Sequence, residues 1–233
     1  MSFLLTLYHW VTGIVRVLTN ALALPVWAAI WAGVKAVFTE DTLWSSAKTA
    51  FSETLTWSTS EPLGIVLALV FAGFGVVHAI RIGLAGSYNG AGFLAFLVEN
   101  TWALPNTVVA SIFSTLTLGI SIHPDSRGSG RLLLSNGIIG PYATTLGSVT
   151  AGTIVPTHEF THVIQSWLIG PFYFPIFIAN YIVNIVPWWL ILKKIFNIYP
   201  NSPIQNLGHY FTRGVYPFTI FELIAYAIEG SPP

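Results

Sequence analysis

From Pro62 to Leu84 the chain is apolar except for His78 and Arg81, which lie one turn apart near its end. A run of this length matches the ~20 residues a helix needs to cross the hydrocarbon core of a bilayer. Within that layer a helix satisfies its own backbone polar groups, and few other structures do. The remaining sequence points the same way. Only 8% of the 233 residues are charged and 54% are hydrophobic, whereas a soluble domain carries about 25% charged residues. So few charges cannot cover a water-exposed surface. The sequence therefore predicts a mainly α, polytopic membrane protein surrounded by lipid, with about four membrane-spanning or membrane-embedded helical regions. The net charge is zero and no basic tract is present, which leaves no case for a nucleic-acid partner. There is no cysteine, so disulfides and thiolate metal sites are excluded and any metal must be held by His, Asp or Glu.

Neither an internal repeat nor a linker divides the chain, so residues 1–233 are read as one integral membrane domain in three stretches. Residues 1–61 hold an apolar helix, kinked or divided at Pro25, and an interfacial amphipathic helix. In that second helix Leu43, Ala47, Ala50, Phe51 and Leu55 recur at helical spacing beside Trp44 and Trp57. The start of the chain lacks the basic region and small-residue cleavage site of a signal peptide, so Phe3 onward is expected to stay as an anchor. Residues 62–136 form a helical hairpin: Pro62 to Leu84, with Arg81 snorkelling to the headgroups, then a second long apolar run from Phe93 to Ile122. That run contains Glu99, Asn100, Pro105 and Asn106, polar groups that in a membrane face protein or a cavity. In residues 137–233, the stretch from Gly137 to Val155 is rich in Gly, Thr, Val and Ile, which predicts a short β-hairpin or an irregular segment. Phe172 to Phe196 is another spanning candidate, with a polar face at Asn180 and Asn184. Ile198 to Pro217 reads as a loop and Phe218 to Ile228 as a short last helix.

The chemistry-bearing feature is His158-Glu159-Phe160-Thr161-His162. Residues four apart share one face of a helix, so both imidazoles can reach one metal ion. Glu159 between them is placed to take a proton from a water on that metal. Pro156 suits a helix start, Val163, Ile164, Trp167 and Leu168 continue the apolar face, and Gly170-Pro171 ends it. Catalytic zinc takes three protein ligands and keeps one position open. His209, Glu222 and Glu229 are the downstream candidates for the third.

The segment Phe221-Glu222-Leu223-Ile224-Ala225-Tyr226 resembles the Glu-x-x-Ala-Asp element of gluzincin metallopeptidases, a group that includes membrane-bound prenyl endopeptidases. The resemblance implies His158, His162 and Glu222 as zinc ligands and Glu159 as the general base. Tyr226 stands where that pattern has a supporting aspartate. In many zinc peptidases an extended segment beside the motif helix holds the substrate backbone, a part that Gly137 to Val155 would play. A second resemblance spans roughly Phe96 to Tyr173. Glu99-Asn100-Thr101-Trp102-Ala103-Leu104-Pro105-Asn106-Thr107, Thr145-Leu146-Gly147, His158 to Gln165 and Gly170-Pro171-Phe172-Tyr173 are similar to segments of uncharacterised bacterial proteins with a His-Glu-x-x-His-x-x-Gln helix followed by Gly-Pro-x-Tyr. It implies that the Asn-rich span and the motif helix form one constellation in a bacterial inner membrane. Intramembrane site-2 proteases share only the motif, since no aspartate follows Asp125 here.

Several residues are expected to support the site. Gln165 lies close to His162 along the helix. Glu99 and Asn100 are expected as hydrogen-bond partners of the histidines or as helix–helix polar contacts. His209 is a loop histidine, alternative ligand or oxyanion donor. Tyr210, Tyr216 and Tyr226 are hydroxyl donors to a tetrahedral intermediate or members of an aromatic belt. Two functions follow. One is a zinc-dependent membrane peptidase acting on a peptide at or in the bilayer. The other is a non-enzymatic subunit of a larger membrane assembly, its metal site structural or vestigial. A transporter is less well supported, because polar residues are few and no repeat halves are visible.

Overall fold

The first apolar run is broken where its backbone ladder lacks a donor. Pro25 has no amide hydrogen for the carbonyl of Ala21. In the computed structural model the helices α1 (Phe3–Ala21) and α2 (Ala23–Ala36) meet at Leu22 with a bend of 56°. The structure describes residues 3–37, 39, 42–89, 92–138, 143–152, 156–187 and 215–231. Among these it is mainly helical, with α3 (Leu43–Ser60), α4 (Pro62–Ala85), α5 (Gly92–Glu99), α6 (Leu104–Leu116), α7 (Pro156–Ile169), α8 (Tyr173–Pro187) and α9 (Ile220–Glu229).

Among the described residues, two helical stretches are long and apolar enough to cross a membrane, Pro62–Ala85 and Thr157–Ile185; the bent α1–α2 pair makes a third if it counts as one span. This is consistent with a membrane protein and departs from the expected four spans. The long run from Phe93 to Ile122 is the main difference. It is interrupted at Asn100–Ala103 and yields α5 and α6, of 8 and 13 residues, each too short to span alone. The cause is local. Asn100 turns its side-chain amide onto the Phe96 carbonyl at 2.8 Å, and Pro105 suits the first turn of a new helix. Of the expected span Phe172 to Phe196, α8 covers the first part; Trp188, Trp189, Lys193 and Lys194 lie outside the described residues.

Between α6 and α7 the chain forms a three-stranded sheet rather than a self-contained two-strand element. Its strands are β1 (Leu132–Leu134), β2 (Thr144–Leu146) and β3 (Val149–Ala151), in the order β1-β3-β2. β3 is central, parallel to β1 and antiparallel to β2, with Thr145 opposite Thr150. Gly147 turns the chain from β2 to β3 at φ 58°, and a Cβ there would meet the Asn106 carbonyl oxygen at 2.5 Å. The tight turn thus sits directly on α6. Leu132, Leu134, Val149 and Ala151 pack with Ile82, Tyr88, Ala95, Phe96, Ala110 and Phe113 into one apolar core.

Buried polar side chains tie these elements together. Arg81 does not reach for headgroups. It is buried, and its guanidinium donates to the carbonyls of Ser114, Thr117 (3.1 Å) and Ile120 (2.8 Å). A cation at the C-terminal end of α6 satisfies carbonyls that the helix leaves open and opposes its dipole. Arg16 of α1 meets Glu99 of α5 at 2.7 Å, both almost fully buried, and Tyr88 donates its hydroxyl to the same carboxylate. Ser148 of the β2–β3 turn and Trp167 of α7 also approach that carboxyl.

Removing one member of a buried ion pair strands the other. Glu99→Ala is expected to cost about 3–5 kcal/mol. The paired replacement Arg16→Met with Glu99→Leu is expected to cost less than Glu99→Ala alone. Denaturant unfolding in detergent, followed by circular dichroism, measures both.

Candidate metal centre

Helix α7 is held at both ends, and this sets the motif's orientation. At its C-terminal end, the side-chain amide of Asn106 donates to the carbonyls of Ser166 (2.8 Å) and Gly170 (2.9 Å), while the Trp102 indole donates to Leu168 (3.2 Å). Gly170 stops the helix at φ 60°, and a Cβ there would lie 2.3 Å from the Trp102 ring. The Asn-rich segment and the motif helix therefore meet in space. At the other end, Thr145 of β2 donates its hydroxyl to Glu159 and stands 2.9 Å from the Thr150 hydroxyl across the sheet.

Helix α9 faces α7. Its start is fixed by α8: Asn180 accepts the Ile220 amide at 3.1 Å, and Asn184 donates to the Phe218 carbonyl at 3.1 Å. The polar face noted on α8 thus aligns the helix that carries Glu222. Phe221 packs against Tyr173 with ring centroids 5.0 Å apart. Phe221, Glu222 and Ala225 point inward, and Ile220, Leu223, Ile224 and Ile228 point outward.

The two helices bring His158, His162 and Glu222 together. One ligand-type atom from each lies within 4.8 Å of the others. His158 Nε2 is 2.9 Å from Glu222 Oε2, and His162 Nε2 is 3.3 Å from Glu222 Oε1. Ligand atoms around a tetrahedral zinc, with bonds of about 2.0–2.1 Å, stand roughly 3.3 Å apart. His162 Nε2 is buried and faces Glu222 Oε1 without a well-aligned hydrogen bond, so it points into the cluster. The donor set of two imidazoles and one carboxylate fits zinc. His158, Glu159 and His162 are each 5% exposed and Glu222 is 2% exposed, so the cluster is nearly closed to solvent.

Each imidazole is held from behind. His162 Nδ1 lies 2.9 Å from Gln165 Oε1, and Gln165 Nε2 donates to the Phe221 carbonyl at 3.0 Å. Because the amide nitrogen of Gln165 is committed as a donor, its oxygen accepts, so Nδ1 of His162 carries a hydrogen and Nε2 presents its lone pair. His158 Nδ1 lies 3.2 Å from Glu229 Oε2. Tyr226 lays its ring against His158, with centroids 4.7 Å apart. Tyr216 lies near enough to Glu222 for its hydroxyl to favour the ionised carboxylate. Glu99 and Asn100, expected either beside the histidines or in helix–helix polar contacts, do not lie at the histidines. Glu99 pairs with Arg16, and Asn100 accepts from Thr19 at 3.3 Å, because this face of the α5 region packs on α1. His209 and Tyr210 lie outside the described residues.

The sequence reading did not find Thr145 as the partner of Glu159. Its role depends on the register of β2 on β3, which spacing along the chain does not reveal. Glu229 was visible as a possible ligand, seven residues from Glu222 and on the same helical face; the structure places it behind His158. Compared with known proteins, the chain matches no family model, no curated protein and no solved structure.

Burial alone would raise the Glu222 carboxyl, but in the metal-free chain the protonated rings of His158, then His162, beside it outweigh burial and hold the group at about 2, below its ordinary 4.5. The folded chain therefore binds this proton less readily than the unfolded chain. The stabilisation is complete above pH 4.5 and is lost as the pH falls toward 2. In metal-free protein, the thermal midpoint is expected to drop between about pH 5 and about pH 2, and Glu222→Gln to flatten that drop. Differential scanning fluorimetry in detergent across this range checks it.

Proposed function

We propose that this chain is a membrane-embedded, zinc-dependent hydrolase that cleaves a peptide bond at or in the bilayer. The observation that carries the reading is the convergence of His158, His162 and Glu222 from two helices, with Glu159 beside them. The likeness of the motif and of the Glu222 segment to the gluzincin pattern supports it. Zinc bound by these three residues supplies Lewis acidity that polarises a carbonyl and acidifies water.

The chain's own residues account for the other steps. Glu159 accepts the proton of the attacking water and passes it to the leaving amine. Thr145 occupies one side of the Glu159 carboxylate, which aims the other oxygen. Gln165 and Glu229 hold the two rings so that each Nε2 faces Glu222, and Tyr216 favours the ionised form of that carboxylate. Among the described residues β2 is an edge strand next to α7. A substrate strand laid along it would pass the motif. The apolar stretch that includes α7 is long enough to cross a membrane, which supports a substrate met beside lipid, and a bacterial inner membrane fits the resemblance.

The near-complete burial of all four side chains favours a second reading. A closed site suits a structural metal in an accessory subunit of a larger membrane assembly, with no substrate of its own.

Purified protein in lipid nanodiscs is expected to carry about one zinc per chain, as measured by mass spectrometry, and His162→Ala to lose it. Glu159→Gln is expected to keep the metal and lower cleavage of a membrane-peptide library by about 10²–10⁴-fold. Zinc without cleavage by the wild type would support the structural reading; absence of zinc would end both.

A further inference from the structure

We propose that Glu229 is the positioning residue that orients His158 for the metal, the part that a residue at position 226 cannot play because a tyrosine stands there. The inference rests on the metal-site reading above. His158 lies between two carboxylates: Nε2 is 2.9 Å from Glu222 Oε2 and Nδ1 is 3.2 Å from Glu229 Oε2. Only one of these nitrogens can face the metal. His162 Nε2 converges on Glu222 from the other side, at 3.3 Å, so the metal position lies on the Nε2 side of His158. Nδ1 then keeps its hydrogen and donates it to Glu229. A carboxylate behind a ligating imidazole fixes the tautomer, locks the ring plane and makes the free nitrogen a stronger donor.

The end of α9 is built to hold Glu229 in this place. Glu222, Tyr226 and Glu229 are spaced four and then three apart, which puts them on one face of the helix. The ligand, the ring that covers His158 and the orienting carboxylate therefore come from consecutive turns. Gly230 ends the helix at φ 77°, and the amides of Gly230 and Ser231 both return to the Tyr226 carbonyl, at 2.9 and 3.2 Å. That reversal brings the Ser231 hydroxyl to Glu229 Oε2 at 2.9 Å. Glu229 is thus held from both sides, by Ser231 and by His158. The other ligand is supported differently, since His162 has the neutral Gln165 behind it. The two imidazoles are unequal donors, and the stronger one depends on the last turn of α9.

The test is zinc affinity of the full chain in nanodiscs, measured by competition with a chromophoric chelator, together with the visible spectrum of the cobalt-substituted protein. Glu229→Ala is expected to weaken zinc about 10–100-fold and to shift the cobalt bands. Glu229→Gln, which keeps an acceptor oxygen at the same place, is expected to recover part of that loss. Ser231→Ala is expected to weaken zinc by a smaller factor and carries the test if Glu229→Ala does not fold. Wild-type affinity in Glu229→Ala, or in Ser231→Ala where it stands alone, overturns the proposal, as does a loss in Glu229→Gln as large as in Glu229→Ala. Failure of the metal reading looks different: the wild type itself would bind no zinc, or His162→Ala would bind it as tightly.

Discussion

A polar group placed among lipid-facing helices has no water to turn to, so some other part of the chain must answer it. That constraint shapes this structure more than any apolar contact. Arg16 is answered by Glu99, and Arg81 by the open carbonyls of α6. The end of α7 is answered by Asn106 and Trp102, and the start of α9 by Asn180 and Asn184. Apolar helix faces slide and rotate against lipid and against each other at little cost, whereas each of these pairings has one geometry. The polar pairs set the registers that the apolar surfaces leave open.

The candidate metal centre inherits its precision from those pairings. α7 and α9 come from distant parts of the sequence, and the site forms only if their rotations agree. α7 is held by Asn106 behind its last turn and by Thr145 at its first. α9 is held by α8 at its start and by Gln165, which reaches from the motif helix to the Phe221 carbonyl. The Gln165 contact joins the two helices directly beside His162, so the group that orients a ligand also sets the spacing of the helices. The Glu99 carboxyl extends the same logic outward, since Ser148 and Trp167 bring the sheet turn and α7 to the Arg16 pair.

How much of this the sequence revealed depends on the range of the signal. The motif was legible because four-residue spacing on a helix is a local fact, and Glu222 stood out by its short segment. Glu229 shares its helical face by the same arithmetic, but whether it ligates or lies behind a ligand depends on how α9 is rotated against α7. Arg81 was misjudged because the partner it needs, the C-terminal end of α6, exists only if that helix stops at Leu116 instead of running on to Ile122. The earlier break at Asn100–Ala103 was hidden because polar residues such as Glu99 and Asn100 also occur in unbroken helices that face protein. Thr145 was illegible for a similar reason: its role follows from the pairing of Thr145 with Thr150, and a shift of one residue would have turned it to the other face.

Charge balance connects the burial of the site to its composition. Three carboxylates, the buried Glu159 and Glu222 and the half-buried Glu229, surround two buried imidazoles. Such a concentration of negative charge is unfavourable in a low-dielectric setting unless positive charge is held among it. A divalent cation between His158, His162 and Glu222 matches the charges of Glu222 and Glu229 and leaves Glu159 as the one carboxylate in excess. Two protonated imidazoles, of His158 and His162, offset the same two charges. The cluster thus calls for positive charge among its carboxylates, and protons and a bound cation compete for the same ring nitrogens.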